Sequence, residues 1–267
     1  LAGKYGLWRE LCDLHVAQVQ AAISAEAEPP LDSALAATAI LEKQLSQPVA
    51  AFRLLQRTMP HTPQVALAAS TPGTTYSALL TELRRLVSAY GVAAKSDDSE
   101  VMEGVTIVRE LLQLYRGLVD ELCRLEGADS EDIAVRLHQL LGAAARLREE
   151  VNGDPTGALS DRMHAFTMGG ERDRSEIPAA DAAFAETIRE IHRLAPLAGQ
   201  IKEAITIDNR RMERASSELR KQQVACENAA WLDEQGGDAQ RALKACLKAL
   251  SLCEEGSDAQ ADMRGRL

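Results

Sequence analysis

Residues 101–151 read VMEGVTIVRELLQLYRGLVDELCRLEGADSEDIAVRLHQLLGAAARLREEV, and this stretch decides the predicted fold. Apolar residues in its first half follow alternating steps of four and three, the seam spacing of packed helices: Val101, Val105, Val108, Leu112, Tyr115, Val119 and Leu122. The second half repeats this spacing at Ile133, Leu137, Leu140, Ala144, Leu147 and Val151. A connection as short as 127–129 forces two helices to lie antiparallel. The sequence therefore predicts a helical hairpin here.

Helical periodicity extends through most of the remaining chain. We predict a first helix over about 6–27, which two following prolines end. The apolar register of the second helix continues past Pro48, so we favour a kink there over a new helix. Residues 59–75, MPHTPQVALAASTPGTT, contain three prolines and predict a long, mobile loop. A third helix follows from Thr75 to about Ala94.

The longest periodic stretch follows residues 169–178, which are rich in glycine and charge and predict a flexible linker. Apolar residues then recur at every seventh position: Phe184, Ile191, Ala198, Ile205, Met212, Leu219 and Cys226. The second seam position turns polar at Lys202, Asn209, Ser216 and Gln223. This pattern predicts one coiled-coil-like helix over 179–234, bent at Pro196, whose middle needs a partner helix.

The C-terminal stretch AWLDEQGGDAQRALKACLKALSL, residues 230–252, resembles half of a tetratricopeptide-type hairpin. Ala242 and Ala249 stand where that repeat has small residues, whereas Asp233 replaces its expected aromatic residue. A repeat architecture needs several stacked units, and the chain shows no second copy. The stretch therefore predicts a single helical hairpin, alternatively one that is cut short.

These patterns predict an all-α protein, an elongated helical bundle with antiparallel hairpins and a long coiled-coil-like helix. The composition agrees, because 46% of residues are hydrophobic and only 3% are aromatic, which suits helix seams better than sheets. We predict a helical bundle over 1–168, a flexible linker over 169–178, a long helical arm over 179–234 and a C-terminal hairpin over 235–267.

The formal net charge of −10 argues against nucleic-acid binding, which needs a basic surface, and disfavours an anionic membrane. The five cysteines show no close CxxC spacing, so we predict reduced thiols and a cytoplasmic location. A processed organellar protein is the alternative, because the chain begins with Leu1 rather than Met.

Motifs for catalysis and cofactors are absent from the sequence. It contains no GxGxxG, GxxxxGK[ST], HExxH or GxSxG pattern, and its five histidines are scattered. We therefore predict no catalytic, cofactor-binding or metal-binding residues. The predicted function is a non-enzymatic scaffold or adaptor, or a structural subunit of a larger assembly. The alternatives are a membrane-associated helical scaffold and an all-helical enzyme whose catalytic residues meet only in space.

A locally basic stretch, RRMERASSELRKQQ over 210–223, has two interpretations. It predicts either a docking face for an acidic partner or a lipid headgroup, or a solvated face with ion pairs three and four residues apart, such as Arg210 with Glu213. The predicted partner-binding residues are Ile201, Ile205, Arg210, Arg211, Met212, Arg214 and Leu219. The expected partners are other proteins, bound by helix–helix packing, with a second copy of the chain as a further option.

Overall fold

The computed structural model describes residues 6–91, 99–125, 131–168, 178–215, 217–235, 239–253 and 258–266. These residues are 84% helical, form 13 helices and contain no strand, which confirms the all-α prediction. Within the same ranges, no helix is long and apolar enough to cross a membrane.

The described residues form the following helices along the chain. They are α1 (Trp8–Ser24), α2 (Leu31–Lys43), α3 (Pro48–Arg57), α4 (Pro63–Ala69), α5 (Thr75–Tyr90), α6 (Ser99–Cys123), α7 (Glu131–Asn152), α8 (Pro155–Met168), α9 (Pro178–Leu197), α10 (Ile201–Glu213), α11 (Glu218–Gln235), α12 (Ala239–Leu252) and α13 (Asp258–Gly265).

Within the part of the chain that the structure describes, four helices begin at a proline, namely α3, α4, α8 and α9. Proline suits the first helical position, because the N–H that it lacks would have no partner within the helix there. The kink predicted at Pro48 is therefore wrong. Helix α2 ends at Lys43 and a new helix begins at Pro48, after Ser46 turns the chain with a positive φ of 54°.

The loop predicted over 59–75 is also wrong in part, because it contains α4. The Thr62 side chain accepts a hydrogen bond from the Val65 N–H at 3.3 Å and caps this helix. Thr74 caps α5 in the same way, accepting from the Ser77 N–H at 3.2 Å. Since Val65 is buried, α4 is a packed element of the core.

The single helix predicted over 179–234 is divided into α9, α10 and α11. Gly199 has a φ of +67°, and the Gln200 N–H donates to the Ala195 carbonyl oxygen at 2.8 Å. This bond and the left-handed glycine form a Schellman-type helix end, so Pro196 lies in the last turn of α9 instead of bending a longer helix. The seven-residue apolar repeat consequently does not form one continuous seam.

The chain packs as two units. The first consists of Leu1–Ala128 and Gln139–Asp154, and the second of Asp129–His138 and Pro155–Leu267. Phe52 and Tyr115 are fully buried in the first unit, as are Phe166 and Ile191 in the second. The linker predicted over 169–178 lies outside the described residues apart from Pro178, and the predicted domain division stays a prediction.

The hairpin predicted between α6 and α7 also stays a prediction, because its connection over 126–130 lies outside the described residues. Tyr115 and Leu137 are buried, as the seam pattern implies. Leu112 is only half-buried, and Leu111 and Leu114 are buried in its place. The core face of α6 is therefore rotated slightly from the predicted stripe.

Candidate functional site: the α9/α11 groove

A groove of about 600 Å³ is lined mainly by residues of α9 and α11 in the second unit, and we call it the α9/α11 groove. Phe184 and Ile188 of α9 and Leu219 of α11 provide its large apolar side chains. Its charged and titratable lining residues are Asp181, Arg189, His192, Arg211, Arg220 and Glu227. The groove therefore combines an apolar lining with charged groups of both signs.

A fully buried carboxylate, that of Asp208 in α10, lies beside this groove. Its Oδ2 is 2.8 Å from His192 Nε2, and its Oδ1 is 2.8 Å from Arg211 Nη1. A buried charge is strongly unfavourable unless it is paired and hydrogen-bonded. Both oxygens of Asp208 have such a partner, one from α9 and one from its own helix.

The His192 imidazole is held on two sides. Its edge meets Asp208, and its face stacks on Trp231 of α11, with ring centroids 4.4 Å apart and planes 9° apart. The Trp231 Nε1–H donates to the His192 carbonyl oxygen at 3.1 Å. When Nε2 donates to Asp208, Nδ1 is the acceptor of the neutral ring.

Arg211 bridges two carboxylates. Its Nη1 donates to Asp208, and its Nη2 donates to Glu227 Oε2 of α11 at 2.8 Å. The Arg211 side chain is only 7% exposed, so its positive charge is neutralised by carboxylates of the same chain. Together with His192 and Trp231, these contacts connect α9, α10 and α11 through polar side chains.

The seven predicted partner-binding residues do not share one surface. Arg211 and Leu219 line the α9/α11 groove, and the other five do not. Met212 is 3% exposed and lies in a C-terminal core cluster with Cys246 and Met263. Arg211 and Met212 are thus buried by the chain itself.

The remaining predicted residues are more accessible. Ile201 and Ile205 are half-buried, and Arg210 and Arg214 are exposed, each with an interaction of its own. Leu219 is 64% exposed, the highest value for a large apolar residue in the described part of the chain.

The sequence prediction missed His192, Asp208 and Trp231. On one straight helix, residues 192 and 208 would lie about 24 Å apart along the axis. The helix end at Gly199 brings them together instead. Gly199 was the available signal, because glycine just after a helical stretch marks a helix end.

Among the described residues, no group of three or more His, Cys, Asp or Glu side chains is arranged to hold a metal ion. No known protein family matches the sequence. A comparison with curated proteins also gives no significant match. The candidate site must therefore be interpreted from its own geometry.

Proposed function

We propose that this chain is a non-enzymatic scaffold or adaptor, and that it binds an amphipathic helix of a partner protein in the α9/α11 groove. The observation that carries the proposal is Leu219, which is 64% exposed and lines the groove with Phe184 and Ile188. A helix-binding groove recognises the apolar face of its ligand through such side chains. We assign this role to the cytoplasm, where cysteines stay reduced.

One arginine of the groove, Arg189, suits a partner helix with an acidic flank. Arg189 is 72% exposed, and its ion pair with Glu186 lies between residues of one helix surface. Such exposed pairs contribute about 0–1 kcal/mol. Arg189 can therefore leave Glu186 and pair with a carboxylate of the partner at little cost in free energy. That new ion pair would set the orientation of the bound helix.

The groove is also pre-organised. The contacts of Asp208 with His192 and Arg211, and of Arg211 with Glu227, connect the three helices that line it. A surface that is ordered before binding loses less conformational entropy when its partner arrives.

A charge reversal of Arg210, Arg211 and Arg214 together does not test this proposal well. Arg211→Glu would place a third carboxylate beside Asp208 and Glu227, and a buried unpaired charge is strongly destabilising. Loss of binding would then report loss of folding.

A single substitution at Leu219 is the sharper test. In pull-downs with tagged full-length chain, Leu219→Asp should lose the partners that the wild type retains. Leu243→Asp is the matched control, because Leu243 is 47% exposed on α12 and does not line the groove. Equal circular dichroism melts establish that both variants fold. Retention of every partner by Leu219→Asp would contradict the proposal.

A helical enzyme is the second candidate, and one observation favours it. The His192 imidazole lines the groove and is oriented by the buried Asp208 carboxylate, as a general base is oriented in hydrolytic sites. Ser217 lines the same groove. A panel of activated esters tests this candidate: turnover that His192→Gln removes would support an enzyme, and turnover at the uncatalysed rate would count against it.

A further inference from the structure

A second concave site, of about 230 Å³, lies in the first unit, between residues of α5 and α7. We call it the arginine pocket. Its polar lining consists of Ser70, Ser77, Thr81, Arg84, Gln139 and Arg146. No carboxylate belongs to the lining, although the whole chain has 40 acidic residues against 30 lysines and arginines. The lining of this pocket thus contains two arginines and no acidic side chain.

The residue spacing explains how the pocket forms. Ser77, Thr81 and Arg84 follow one another at steps of four and three on α5, so they share one face of that helix. Gln139 and Arg146 are seven residues apart on α7 and share a face there for the same reason. Each helix therefore contributes one arginine and neutral hydrogen-bonding groups.

Neither arginine is neutralised within the described residues, where no carboxylate lies within ion-pairing distance of Arg84 or Arg146. The neighbouring Arg85 shows the contrast, since it pairs with both Glu42 and Glu82. The arginine pocket consequently holds two formal positive charges without an internal counter-charge.

Arg84 is positioned by a buried phenol. Its Nε–H donates to the Tyr115 hydroxyl, and its guanidinium carbon lies 5.4 Å from the Tyr115 ring centroid. Tyr115 is 1% exposed, and this burial raises the pKa of its phenol, so the hydroxyl stays neutral at physiological pH. With Nε engaged, the two terminal amino groups of Arg84 are left for a ligand.

Arg146 is arranged in a similar way. Its Nε–H donates to the Gly142 carbonyl oxygen of its own helix at 3.4 Å, which leaves its terminal amino groups for a ligand. Ser77 lies in the first turn of α5, where the helix dipole also favours negative charge. These features add to the positive potential of the arginine pocket.

We propose that the arginine pocket binds a tetrahedral oxyanion, namely a phosphate group. Guanidinium groups bind phosphate through paired, charge-assisted hydrogen bonds, and the Ser77 hydroxyl in the lining supplies a further donor. The Ser70 and Thr81 hydroxyls donate instead to backbone carbonyl oxygens, that of Ser70 to Ala66 at 2.9 Å and that of Thr81 to Ser77 at 2.8 Å. Pockets for drug-sized ligands measure roughly 300–1,000 Å³, whereas this one measures about 230 Å³. The recognised unit is therefore the phosphate group itself, either free or on a small phosphomonoester.

Isothermal titration calorimetry of the full chain with sodium phosphate tests the proposal, with sodium chloride at matched ionic strength as the blank. Arg146→Gln should weaken phosphate binding about tenfold, the worth of one charge-assisted contact. Arg84→Lys should weaken it similarly, because it loses the guanidinium fork. Arg116→Gln is the matched control, since it removes the same charge from an exposed site outside the pocket, and it should bind like the wild type.

Titration with glycerol phosphate distinguishes the two sources of the phosphate group. Tighter binding than inorganic phosphate assigns the pocket to a phosphomonoester, and weaker binding assigns it to the free ion; both results support the proposed chemistry. Absence of phosphate-specific heat up to about 10 mM, a concentration beyond ordinary weak affinities, would overturn it. Equal affinity of Arg146→Gln and wild type would overturn it as well. Because Arg146 is exposed, this variant decides the question even if Arg84→Lys is unstable.

Discussion

Asp208→Asn should destabilise the second unit by about 3 kcal/mol, because breaking a buried ion pair by removing one partner costs about 3–5 kcal/mol. In the wild type, the fully buried Asp208 carboxylate accepts from Arg211 and His192 at 2.8 Å each. Asparagine keeps one acceptor oxygen and turns an N–H₂ group toward the other donor. The oxygen that stays still accepts from Arg211, but it no longer carries the opposite charge, and the N–H₂ group faces His192 Nε2. A hydrogen bond to a charged group contributes roughly 1.5–3 kcal/mol.

The loss can be followed by fluorescence. Trp8 belongs to the first unit and Trp231 to the second, so Trp231 reports on the second unit in a Trp8→Phe background. A change of about 3 kcal/mol lowers the melting temperature by roughly 12 °C in a unit of this size, because the entropy of unfolding is about 2.1 cal/mol/K per residue. Asp262→Asn is the matched control, because that carboxylate is 57% exposed in its pair with Arg266, and it should melt like the parent. If Asp208→Asn also melts with the parent, the interpretation of the network is refuted.

Two further predictions concern burial. Burial, with Arg162 as the second cause, lowers the pKa of His138 to about 4 from the ordinary 6.5. Between these two pH values the unfolded chain binds a proton at His138 that the folded chain does not. The free energy of unfolding should therefore be full above about pH 6.5 and fall by about 3 kcal/mol toward pH 4. If the urea midpoint of His138→Leu depends on pH as strongly as that of the wild type, this prediction is wrong. Gly91→Ala should cost about 2 kcal/mol, because its Cβ would overlap the Val87 carbonyl oxygen. Gly265→Ala, which has open space around it, is the control, and equal denaturant midpoints for the two variants would count against the overlap.

The all-helical fold class was predictable from the sequence because apolar periodicity is a local property. The positions at which helices begin and end were harder to predict. Proline both ends and begins helices, and at Pro48 the second role applies. The continuous register past Pro48 did not reveal this, because the same apolar spacing fits one kinked helix and two separate helices. The same limit applies at Gly199, where the seven-residue repeat continues across a helix end.

The candidate sites were less predictable, because they depend on contacts between distant residues. Ion pairs within the basic stretch were one of its two interpretations, and the structure shows one between Lys221 and Glu218. Arg211 pairs instead with Asp208, which precedes the stretch. Periodicity does not indicate that this pair is buried, since its burial depends on His192 and Trp231. In the arginine pocket, likewise, Arg84 and Arg146 belong to helices far apart in the sequence.

Site-specific photo-crosslinking tests the central proposal, helix binding in the α9/α11 groove, most directly. A benzophenone amino acid replaces Leu219 in one variant and Leu243 in the other, the two being 64% and 47% exposed. We predict that position 219 crosslinks to a partner protein, that the crosslinked peptide belongs to an amphipathic helix with an acidic flank, and that position 243 gives no such product. Equal crosslinking of that partner at both positions, or none at position 219, would contradict the proposal.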